Sequence, residues 1–162
     1  MKSKSLANSG KQFLVSAAVA LATGLAIPQA ASAIEDDVVT CGLRTLRGVY
    51  EFSASGFNIV NGAAVPKAII ETIVFDGRGG VLTPAVTVSV NGFLIQPPQG
   101  SPGVYTVDAD CTGTLTFGDG PSFDLHVNPF GKSMTMLQTF PVAVMQGTAT
   151  RVLSLAQWRA QQ

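Results

Sequence analysis

Charge is scarce in this sequence. Lys, Arg, Asp and Glu together make up 12% of its 162 residues, and it holds one histidine, one tryptophan and two cysteines. With so few charges and 46% hydrophobic residues, the chain is neither disordered nor a coiled coil. It has no basic stripe to neutralise phosphates, which excludes nucleic acid as a partner. The lone histidine, His126, has no Gly-x-Ser-x-Gly turn to serve, so a serine hydrolase triad lacks its parts. His126 and two cysteines are also a poor ligand set for zinc, and no residue pattern implies a cofactor. Helical periodicity of useful length is missing outside the first 33 residues.

Long hydrophobic runs are missing too. The apolar run Phe13 to Ile27 has 15 residues, whereas a helix needs about 20 to span a bilayer. Lys2, Lys4 and Lys11 precede it, Pro28 ends it, and Ala31-Ser32-Ala33 follows. A charged start, a short apolar middle and small residues for a peptidase are the layout of a cleaved secretory signal, expected over residues 1–33. The protein is therefore expected in the periplasm or outside a bacterial cell, with no membrane attachment after cleavage. Thr40 before Cys41 is not the small residue that lipid attachment requires, and no Asn-x-Ser/Thr site occurs. What remains is one domain with a single core. Seven basic residues then face ten acidic ones, a net charge of −3. In an oxidising compartment the two cysteines, Cys41 and Cys111, are expected to bridge; two buried free thiols are the alternative.

What is there is one strand after another. Residues 34–47 are expected to form a surface arm and residues 154–162 a tail, with the domain proper at 48–153. Strands are expected at Gly48 to Ala54, Ala68 to Phe75, Leu82 to Val90, Val104 to Asp110, Thr112 to Phe117, Phe123 to Val127, Ser133 to Thr139 and about Val144 to Leu153, with a shorter one at Phe93 to Gln96. Asn61-Gly62, Asp76-Gly77-Arg78-Gly79-Gly80 and Asn91-Gly92 supply turns whose residues accept positive φ cheaply. About eight strands joined by short turns predict an all-β fold, a single antiparallel β-barrel of about eight strands. Period-two alternation puts Tyr50, Phe52, Ile73, Phe75, Leu82, Val86, Val88, Tyr105, Leu115, Phe117, Phe123 and Leu125 inside. It puts Thr72, Thr83, Thr87, Thr106, Thr114, Asp124 and His126 outside.

Gly48-x-Tyr50-x-Phe52, Phe75-Asp76-Gly77-x-Gly79, Asn91-Gly92, and Gly103-x-Tyr105-Thr106-Val107-x-x-Asp110-Cys111-Thr112-Gly113-Thr114 form a pattern, continued by Gln138-Thr139 and Gly147-Thr148-Ala149. It resembles a group of small exported bacterial proteins similar to the allene oxide cyclase barrel-like set. The resemblance covers nearly the whole of the chain after the signal. It implies an eight-stranded barrel shaped like those of lipocalins and dirigent proteins, in which some members rearrange apolar substrates and others only bind them. Its motifs are turn glycines and core aromatics, so no catalytic residue is carried over from it.

Glu71 is the most informative candidate. Spaced two from Ile73 and four from Phe75, it falls on the inward face, where burial raises a carboxyl pKa and makes it available as a general acid. A place at a watered barrel mouth is the plainer alternative. Tyr50 and Tyr105 share that face as hydrogen-bond donors to a ligand, and Phe52, Phe75 and Phe117 supply apolar lining. Asp108-x-Asp110-x-Thr112-Gly113 with Asp119 in the twelfth place imitates a calcium loop, but without flanking helices it reads as two strands and their connection. Met134, Met136 and Met145 suit an ordinary core. Three functions follow: binding of a small apolar molecule in the lumen, acid-assisted cyclase, isomerase or lyase chemistry on such a molecule, or a packed barrel that meets a partner by its surface. Association into homo-oligomers is left open.

Overall fold

The computed structural model describes residues 39–118 and 120–162. The expected signal segment and Asp119 lie outside the described residues. Strands β1 (Arg47–Val60), β2 (Ala63–Asp76), β3 (Gly80–Val90), β4 (Phe93–Ile95), β5 (Ser101–Val107), β6 (Thr112–Phe117), β7 (Ser122–Val127), β8 (Ser133–Phe140) and β9 (Ala143–Leu153) are followed by one short helix, α1 (Leu155–Arg159). Every pairing is antiparallel. Neighbours run β1-β9-β8-β7-β6-β5-β3-β2 and β2 returns to β1, so eight strands close a barrel and β4 is an extra strand hydrogen-bonded to β3.

The tight turns sit where their chemistry predicts. Asn61 and Gly62, and again Asn91 and Gly92, have positive φ and join two-residue hairpins. At the β2–β3 turn the Asp76 carboxylate accepts from the backbone N–H groups of Arg78 (2.6 Å) and Gly80 (3.0 Å), so this glycine-rich stretch is a hairpin turn. Asp110 does the same for Thr112, whose N–H and hydroxyl both donate to its carboxylate, in the connection from β5 to β6. These bonds hold the exposed Asp110 carboxyl below its usual range. Among the described residues, no group of three or more His, Cys, Asp or Glu is placed to hold a metal.

The core fills the lumen from one end. Phe75 sits between Tyr50 and Tyr105 in edge-to-face contacts with ring centroids 5.2 and 5.0 Å apart, and Phe123 meets Phe52 and Phe117 at 5.9 and 6.4 Å. Met134, Met136 and Met145 are buried among them. The bridge Cys41–Cys111, with a Cα separation of 5.0 Å, ties the stretch before β1 to the β5–β6 connection. A second, smaller apolar cluster lies outside the barrel wall. There Leu155 of α1 covers Val49 and Val74, with Leu153 and Trp158 beside them, so the tail is a packed helical turn.

Between Thr72 and Val74 the alternation slips. Thr72 pairs with Ala85 and Val74 with Leu82, so β3 carries one residue more than β2 across that step. This bulge beside Pro84 reverses the inside–outside phase of the residues before it. Leu82, expected inside, is exposed, and Thr83, expected outside, is 2% exposed. After the bulge Val86 and Val88 return to the inner side as expected.

Candidate functional site

At the end away from the disulfide the aromatic filling stops, and a cavity of about 590 Å³ opens. Its wall includes Ile69, Val86, Val88 and Phe117, together with the prolines Pro97, Pro98, Pro102 and Pro121. Polar groups are few: Lys67, Glu71, Thr83 and Ser101. A mostly apolar concavity of this size with a small set of polar anchors is the usual form of a small-molecule site.

The anchors are placed by the sheet. Glu71 pairs with Phe52 on one side and Val86 on the other, and its side chain points inward as the spacing to Ile73 and Phe75 requires. The β3 bulge turns Thr83 to meet it, and the Thr83 hydroxyl donates to Glu71 Oε1 at 2.8 Å. Burial pushes the Glu71 carboxyl up to about 7, against the opposing pull of the Thr83 hydrogen bond and the Lys67 charge. It is therefore present in both protonation states near neutral pH and can give or take a proton. Lys67, two turns of the pleat away, donates from Nζ to Gln138 Oε1 at 3.2 Å. Burial holds its ammonium below the usual lysine range, with the Glu71 charge partly offsetting this. Gln138, 4% exposed, donates in turn to the backbone carbonyls of Phe140 (3.2 Å) and Pro141 (3.4 Å), which fixes the orientation of its amide.

Of the residues singled out in the sequence, Glu71 and Phe117 line this cavity. Phe52 pairs with Glu71 across β1 and β2 but is buried in the core rather than lining the cavity. Tyr50, Phe75 and Tyr105 occupy the filled half instead. The Tyr50 hydroxyl donates to the Gly131 carbonyl at 2.6 Å, and that of Tyr105 lies 2.7 and 2.9 Å from the Leu43 and Leu46 carbonyls. Burial raises both phenols, Tyr105 to about 12. These two hydroxyls are thus spent on backbone, closing the end of the barrel beneath the stretch before β1. His126 stands on the outer face between Thr112 and Thr135, as alternation predicts.

Three members of the site escaped the sequence: Thr83, Lys67 and Gln138. Pro84 is the signal for the first, since a proline within a strand run often marks a bulge. Lys67 and Gln138 are brought together from positions 71 residues apart by barrel closure, which no local pattern announces. No family model, curated protein or solved structure matches the chain.

Proposed function

We propose that the protein binds a small, mostly apolar molecule in the open half of its barrel, with the Glu71–Thr83 pair as its polar anchor. The observation that carries this reading is a buried carboxyl of pKa about 7 in the wall of an otherwise apolar cavity of about 590 Å³. A carboxyl kept there without a ligand to recognise costs stability, so its placement asks for a use. The resemblance to allene oxide cyclase barrel-like proteins fits such a role, and the Cys41–Cys111 bridge supports an exported protein. The cavity weighs against a barrel packed throughout.

The test is titration with a neutral apolar fluorophore, N-phenyl-1-naphthylamine, whose emission rises on leaving water. Wild type gives a saturable rise, and Val86→Trp, which fills the cavity, weakens it at least tenfold. No rise, or equal binding by the variant, overturns the proposal.

A second reading is favoured by the same carboxyl. Half protonated near neutrality, Glu71 is suited to protonate an oxygen of a bound apolar substrate and so assist a cyclisation, isomerisation or elimination. In that case Glu71→Gln abolishes turnover while leaving probe binding in place.

A further inference from the structure

Positive charge collects at one place on this molecule. Four of the seven basic residues among those described, Arg44, Arg47, Arg78 and Arg159, line one concavity of about 270 Å³. The other three are Lys67, Lys132 and Arg151. The four arginines come from three separate stretches of chain: the turn before β1 with the first residue of that strand, the β2–β3 turn, and the last residue of α1. The concavity lies beside the stretch that the disulfide ties down, and no residue lines both it and the cavity that holds Glu71.

The hollow is built rather than incidental. The stem of Arg47 lies across Gly77, where φ is +77° and an added Cβ would come within 3.1 Å of that stem. Glycine at this position therefore serves both the turn and the seat of Arg47. Asp76 is the one acid in the lining, and its carboxylate is committed to the turn, accepting from the N–H groups of Arg78 and Gly80. Among the described residues, no carboxylate forms an ion pair with any of the four guanidinium groups. Four like charges held in one hollow repel one another, and an anion relieves that repulsion.

We propose that this concavity binds a small multivalent oxyanion, a diphosphate group, either free or at the end of an ester. Guanidinium forks fit the paired oxygens of phosphoryl groups bidentately, with charge-assisted hydrogen bonds. Charge selects the valence: four arginines and one aspartate leave a net charge of +3, which a singly charged anion leaves largely unbalanced. Size and setting select a small anion, because a nucleic acid needs a stripe of cations and only three other basic residues are described, one of them in the opposite cavity.

The test is isothermal titration calorimetry of the whole protein with inorganic diphosphate, at low and at physiological ionic strength. Saturable binding at one site is expected, at least tenfold tighter than that of orthophosphate, with a rise in melting temperature. Arg44→Gln with Arg159→Gln is expected to weaken it at least tenfold; both side chains are exposed, so circular dichroism of the free protein stays unchanged. Lys132→Gln removes an exposed charge that does not line the concavity and is expected to leave affinity as it is. A nucleoside diphosphate that binds at least as tightly as the free anion would place esters among the ligands, and one that binds tenfold more weakly would restrict the site to the free anion. Absence of diphosphate binding would overturn the proposal. Equal losses in the arginine variant and Lys132→Gln would do so too, by showing attraction to overall charge. Glu35, Asp36 and Asp37 precede the described residues. Binding that emerges only in Glu35→Gln with Asp36→Asn and Asp37→Asn would assign the arginines to the chain's own acids, with the same result. The fluorophore reads the opposite cavity and is expected to bind the arginine variant as it binds wild type, so either site can fail alone.

Discussion

Replacing Glu71 by Gln gives the sharpest test of the site, because it removes one titration and little else. The amide keeps an oxygen to accept from Thr83, and its volume is nearly the same. In the wild type the carboxyl is raised from 4.5 to about 7 by folding. The folded state then holds a proton that the unfolded chain has released, so stability is full below pH 4.5 and falls as pH rises toward 7. A rise of this size corresponds to roughly 3 kcal/mol, at about 1.4 kcal/mol per pH unit. For a domain of this size that is a fall in melting temperature of roughly 10 °C between pH 4 and pH 8. Urea unfolding of both proteins across that range, taken as the difference between them, isolates Glu71: Asp110 and the other acids titrate equally in the two and cancel. Glu71→Gln should gain on the wild type by about 3 kcal/mol on going from acid to neutral pH. Parallel profiles, or a wild type that gains stability relative to the variant as pH rises, would show that the carboxyl is not held in an apolar wall. Both functional readings of Glu71 would then fall.

Replacing both Cys41 and Cys111 by Ser should lower the unfolding free energy by about 4 kcal/mol, the chain-entropy value for a closed loop of about 70 residues, and reductant should then have no further effect on the melting curve. Phe75→Ala removes a fully buried ring from between Tyr50 and Tyr105 and should cost about 3–5 kcal/mol in urea unfolding, while probe binding at the other end keeps its affinity in the fraction that remains folded.

The barrel is legible in the sequence because two local codes agree. Alternation decides which face of each ribbon turns inward, and Asn-Gly or Asp-Gly pairs decide where the ribbon reverses. Glu71 is found by the first code alone, since Ile73 and Phe75 share its parity and are both fully buried. The same code misplaces Leu82 and Thr83, because a bulge adds one residue to β3 and parity carries no memory across it. The turn code finds Asn61-Gly62 but not the length of the strands that meet there. β1 runs on to Val60 and β2 starts at Ala63, although Ile59 and Val60 are adjacent apolar residues and Ala63-Ala64-Val65-Pro66 opposite them holds no polar residue. These outer portions project as a hairpin rather than line the core, so core burial exerts no selection on their pattern. The outer cluster under α1 was hidden for a related reason. Val49 and Val74 lie on the wet face by parity and become buried because the chain returns after β9 to cover them.

The disulfide and α1 together determine how the molecule can be held. Arg44, just after Cys41, and Arg159, at the close of α1, line the same concavity, so the described chain starts and finishes at the arginine end. A handle joined at the C-terminus would therefore orient every molecule on a bead or sensor chip alike, mouth outward.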